Sequence, residues 1–88
     1  MALTSELIKC AVDEVERIIS LEGEVDLKCE LTDSIKGIED KKLRKEFYRY
    51  MNMLFLNILL NRLDEVGQDK EERAINARKD IVDLIKTI

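Results

Sequence analysis

The side chains best placed to do chemistry are amides, carboxylates and cations on two helical faces. Over residues 41–66, Glu46, Tyr50, Asn57, Asn61 and Asp64 fall within about 60° of one another at 100° per residue. The rest of that segment is apolar around most of its circumference, from Leu43, Phe47 and Met51 to Leu59, Leu60 and Leu63. Over residues 70–88, Ile75 and Val82 lie on a flank shared with Arg78, Lys79 and Lys86. Such a set suits recognition of a protein surface. Asp64 can accept charge-assisted hydrogen bonds from a partner's Arg or Lys, and Arg78 can clamp a carboxylate bidentately. Apolar residues beyond a core stripe leave a second surface to bury. The plainer alternative makes Asn57, Asn61 and Asp64 the solvated edge of a buried helix, and Arg78 and Lys79 ordinary surface cations.

Other chemistries find little support. The chain has no His, which excludes imidazole-based zinc sites and Ser-His or Cys-His catalysis. The expectation is a protein that is not an enzyme and uses no metal or cofactor. Lys41-Lys42-Leu43-Arg44-Lys45 could contact phosphates or act as a nuclear address. It is five residues without an interleaved aromatic in a chain of net charge −4, so a solvated helix start is expected instead of a nucleic-acid site. Cations there face the positive end of the helix dipole, which disfavours them slightly.

Three helical segments must position these residues. The first is expected from about Thr4 to Lys36, with Thr4 or Ser5 as N-cap and Gly37 as a left-handed C-terminal stop. Ile8, Val12, Val15, Ile18, Ile19, Val25, Leu31 and Ile35 recur along it at three- and four-residue steps. Its length would be roughly 50 Å. Gly23 inside it costs about 1 kcal/mol relative to Ala and marks a kink or a close approach, a full break being the alternative. The second helix follows Asp40 and runs to about Val66. The third opens at Asp69-Lys70-Glu71-Glu72, with capping-box spacing, and continues to Ile88 along Ala74, Ala77, Ile81, Leu84, Ile85 and Ile88. Short connections favour antiparallel neighbours, so the expected fold is an all-α, up-down-up three-helix bundle in one domain, residues 1–88.

Zero Pro and three Gly exclude collagen-like and turn-dense sandwich chains. The longest apolar stretch, Met51 to Leu60, is too short to span a bilayer, and no signal peptide is visible at the start. Cys10 and Cys29 would lie roughly 28 Å apart on one rod, beyond disulfide reach, which points to a reducing compartment, cytosol or nucleus. Both are expected as small core residues. Residues 1–40 carry four basic and eleven acidic groups, net −7, while residues 41–88 carry eleven and eight, net +3. The second half would therefore steer an acidic partner.

Leu63-Asp64-Glu65-Val66-Gly67, followed by Asn76-Ala77-Arg78-Lys79-Asp80-Ile81-Val82, resembles the C-terminal half of a BAG domain. That family has a Leu-Asp closing its second helix, a short Gly-containing turn, and Ala-Arg-Lys/Arg early in its third. Asp64 precedes Arg78 by fourteen residues, as in the family's short form. The resemblance covers residues 54–88 and fades upstream, where only Gly23-Glu24-Val25 is similar and the 25–37 stretch is about one heptad longer. It implies a three-helix bundle whose second and third helices grip the nucleotide-binding domain of a heat shock protein 70 chaperone and loosen its nucleotide. Carried over by position, the contacts are Asp64, Arg78 and Lys79, with Asn57, Asn61, Val82 and Lys86 on the same faces. Leu54 stands where the family often has an acid, and Lys86 where it often has Gln. The first departure implies weaker chaperone binding, which Leu54→Glu would strengthen. Two other readings stay open: a helical scaffold that homodimerises, and a small nucleic-acid-binding helical domain.

Overall fold

The computed structural model describes residues 3–61 and 63–88, with the side chains of residues 63–66 outside the description. Four helices follow one another: α1 (Ser5–Ser20), α2 (Leu27–Ser34), α3 (Lys41–Asn61) and α4 (Leu63–Thr87). The all-helical class agrees with the sequence. The single long first helix does not form, and the extended 4–36 rod is replaced by α1 and α2. A 50 Å rod would in any case overrun the molecule, whose greatest extent is 36 Å.

The break has a local cause and a distant one. Leu21 leaves the helix in an extended conformation, Gly23 takes φ +78, and Asp26 restarts the chain by accepting the Cys29 amide at its Oδ1, 3.2 Å away. From across the bundle, Arg73 of α4 donates to the carbonyls of Ile18 (3.1 Å), Leu21 and Gly23 (3.0 Å). The last carbonyls of a helix are short of partners within it; Ile18 O takes only the Leu21 amide, at 3.4 Å, and the guanidinium adds donors here together with favourable charge. Arg17 then ties α1 to α2, bonding Glu14 at 2.9 Å and Glu30 at 2.6 Å, while the Ser34 hydroxyl donates to Glu14 at 2.9 Å. The Arg17 guanidinium holds the Glu14 carboxyl below its ordinary pKa.

The other boundaries follow cap chemistry. Thr4 Oγ1 accepts the Leu7 amide at 3.2 Å, and Asp40 Oδ1 accepts those of Lys42 (2.8 Å) and Leu43 (3.2 Å). Gly37, expected in the left-handed region, is not there: α2 has ended at Ser34, with Ile35 as its cap. Gly67 does interrupt the last segment. Its φ of 78° and ψ of 171° lie where only glycine is comfortable, so the turn anticipated at residues 66–69 appears as a kink inside α4.

α3 is the hub. It buries Phe47, Tyr48, Met51, Phe55 and Ile58 against Ala11, Val15, Ile18 and Ile19 of α1, and against Ala74, Ala77 and Ile81 of α4. Fully buried alanines opposite large aromatics let the backbones approach and keep the interior dense. α3 and α4 run antiparallel: Lys41 and Arg44 at the start of α3 border Leu84, Thr87 and Ile88 at the end of α4. α2 lies chiefly against α4, adding Leu31, and the following turn adds Ile35 and Ile38. Tyr48 donates its hydroxyl to the Leu31 carbonyl at 2.7 Å, which satisfies both buried groups. Cys10 and Cys29 are free and exposed, not core residues. They lie on the outward faces of two separate helices, so the spacing of one continuous rod does not apply to them.

Candidate protein-binding face

The exposed side of the α3–α4 pair brings together most of the α4 residues singled out in the sequence. Ala74, Ala77 and Ile81 point inward. Rotation about α4 then places Ile75, Arg78, Lys79, Val82 and Lys86 outward as a stripe at steps of three and four. Ile75 is 37% exposed and Val82 46% exposed, an arrangement that leaves aliphatic surface in water on both sides of two cations. With Asn52 of α3, four of these residues (Ile75, Arg78, Lys79 and Val82) line a shallow groove of about 270 Å³. Lys86 is exposed one turn further along the stripe.

Asn52 organises the groove. Its Oδ1 accepts Arg78 Nε at 2.7 Å. Both terminal Nη groups of Arg78 remain without a partner among the described residues. The bond fixes the half-buried guanidinium plane and presents its outer edge to solvent, ready for a carboxylate. Lys79 beside it adds a second positive charge that can follow a partner acid. Asn52 is not among the residues the sequence pointed to for binding. The available signal was angular: it lies about 140° around α3 from Asn57, so the two asparagines cannot share one edge.

Asn57 and Asn61 lie elsewhere, on the opposite flank of α3. They border a groove of about 250 Å³ shared with α1, together with Val12, Glu16, Leu54 and Ile58. Leu54, the position of the family's acid, packs against the core there. The side chain of Asp64 lies outside the described residues. Between the two grooves α3 carries an outward ridge, with Met53 48% and Leu60 70% exposed. Glu46 and Tyr50 flank the lower part of that ridge, near Arg49 and Leu3. The face foreseen as one surface is thus two grooves separated by an apolar ridge.

No group of three His, Cys, Asp or Glu side chains among the described residues could hold a metal ion. No helix among them is long and apolar enough to cross a membrane. Compared with known proteins, the chain matches no family model, no curated protein and no solved structure.

Proposed function

We propose that this chain is a co-chaperone module of the BAG type, binding the nucleotide-binding domain of a heat shock protein 70 chaperone through α3 and α4 and promoting nucleotide exchange in the cytoplasm. The observation that carries the reading is the outward stripe of α4, where the Arg78 fork held by Asn52 and the Lys79 ammonium stand between exposed Ile75 and Val82. A stripe of this kind supplies aliphatic contact and two cations to an acidic partner surface, and the Asp64–Arg78 interval matches the family's. Exchange then follows from linkage: a module that prefers the open-cleft chaperone lowers nucleotide affinity by the same factor.

The test is calorimetry with an isolated chaperone nucleotide-binding domain, paired with release of a labelled nucleotide. Asp64→Ala and Arg78→Ala should each weaken binding by about 2–5 kcal/mol. Melting should change little, because Arg78 loses a single hydrogen bond. Binding unchanged in a folded Arg78→Ala variant would remove the reading.

The exposed Met53 and Leu60 favour one second reading, a homodimer closed over the α3 ridge. Concentration-dependent doubling of mass, abolished by Leu60→Glu, would support it.

A further inference from the structure

We propose that α1 exchanges between two copies of this chain: the link over residues 21–26 straightens, α1 and α2 join into one rod, and each α1 packs on the other copy's α3. The link has two ways to satisfy the same acceptors. In the folded-back chain, Arg73 donates to the carbonyls of Ile18, Leu21 and Gly23. In a continuous helix those carbonyls accept the amides of Glu22, Val25 and Leu27, each four residues on. Opening the link therefore takes Arg73 away but leaves none of the three carbonyls bare. The fold-back itself turns on Gly23, whose φ of +78° suits glycine and strains any other residue. Two discrete arrangements of one short segment are what a switchable hinge requires.

The straight form needs a second copy for a reason of register. On one continuous helix Leu31 lies about 220° around from Ile18, and Ile35 about 160° from Ile19. While α2 stays on its own α4, the buried stripe of α1 then faces away from that body. A rod of roughly 50 Å also overruns a molecule whose greatest extent is 36 Å. A second body on the opposite side must cover Ala11, Val15, Ile18 and Ile19. That cover already exists in an identical chain, where Phe47, Met51, Phe55 and Ile58 of α3 form the surface that α1 fills. The bonds from Arg17 to Glu30 and from Ser34 to Glu14 re-form between the chains. The closed dimer keeps the α1–α3 packing and differs from two monomers chiefly at the hinges, the low-barrier route that hinge changes expose. It uses neither the Met53–Leu60 ridge nor the outward stripe of α4, so it stands apart from the chaperone reading and from a ridge dimer.

The experiment is light scattering on the full chain after refolding from denaturant at millimolar concentration. Gly23→Ala should tighten dimerisation on the order of a hundredfold, about tenfold for each of the two hinges. Alanine is disfavoured at φ +78° and favoured in a helix. Arg73→Ala should also dimerise more readily than the unaltered chain, and inserting Gly-Gly-Ser after Gly23 in either variant should restore the monomer. Cys10 and Cys29, free and exposed, accept spin labels without any substitution. In the monomer Arg17 meets Glu30, so Cys10 stands only about 10 Å along α1 from the neighbourhood of Cys29. With labelled chain diluted in excess unlabelled chain, the separation within one chain should lengthen to roughly 28 Å in the dimer. Adding Leu60→Glu to Gly23→Ala should leave the dimer intact. Gly23→Ala and Arg73→Ala proteins that both stay monomeric would overturn the proposal. So would a dimer abolished by Leu60→Glu, or one whose label separation stays at the monomer's value.

Discussion

Arg73→Ala tests the device that divides the first half of the chain. The guanidinium donates from α4 to the Ile18, Leu21 and Gly23 carbonyls, some fifty residues away in sequence. Hydrogen bonds to a charged group contribute about 1.5–3 kcal/mol each. The three share one guanidinium, and water can replace the donor at the exposed Gly23 carbonyl. The two part-buried carbonyls at the end of α1 dominate, and the loss should be about 2–4 kcal/mol. At ~4–8 °C per kcal/mol for a domain of this size, the melting temperature should fall by roughly 10–25 °C. Arg73→Lys keeps the charge but not the planar fork, so it should recover less than half of the loss. Hydrogen exchange locates the effect: amides of α2 should lose protection more than those in the middle of α3. An Arg73→Ala protein that melts within a few degrees of the original, or a Lys variant that restores it fully, would show that the break is held by local sequence alone.

Gly67→Ala should cost about 1–3 kcal/mol in a urea titration, because φ 78° with ψ 171° is strained for any side chain even though a Cβ would meet nothing within 4 Å; a neutral result would mean that α4 straightens there. Tyr48 is only 1% exposed, and burial pushes its phenol up to about 12. The raised value means that the neutral phenol is favoured in the fold, so this stability is complete below about pH 10, the unfolded value, and is lost as pH rises toward 12. Tyr48→Phe should cost about 1–2 kcal/mol at neutral pH by leaving the Leu31 carbonyl without its donor. Its deficit should narrow above pH 10, and a gap that stays constant would refute the assignment. Leu54→Glu puts a carboxylate into the apolar α1–α3 groove and should lower stability by about 1–2 kcal/mol without tightening chaperone binding. A fully folded variant that binds more tightly would place residue 54 at the interface, as the family resemblance implies.

The helical class, the caps at Thr4 and Asp40 and the inward stripe of α4 were legible because each depends on neighbours in sequence. The break at Gly23, read only as the alternative to a kink, was obscured by spacing: apolar residues keep recurring at three and four residues on both sides of it. The angular register told otherwise. On one continuous helix Leu31 would lie about 220° around from Ile18, and Ile35 about 160° from Ile19, so no single face could bury both groups. Breaking the rod lets α2 turn Leu31 into the same core as Ile18. Arg73, which secures that turn, carries no local signal, since its acceptors are backbone carbonyls brought near only by folding.

The candidate face was legible on one helix and misread on the other, for a physical reason. α4 turns Ala74, Ala77 and Ile81 toward α3, α2 and α1, and the stripe of Ile75, Arg78, Lys79, Val82 and Lys86 occupies the arc those residues leave outward. α3 packs on both α1 and α4, so its polar positions divide between two flanks. Asn52 faces α4 and receives Arg78, while Asn57 and Asn61 face α1. A polar wedge read from angles alone cannot tell which neighbour stands beside it. The division makes the two asparagine sets separately testable: Asn52→Ala should release the Arg78 fork and weaken an acidic partner on the α3–α4 face. Asn57→Ala or Asn61→Ala should leave that binding unchanged, and equal loss at both sets would mean that the two grooves act as one surface.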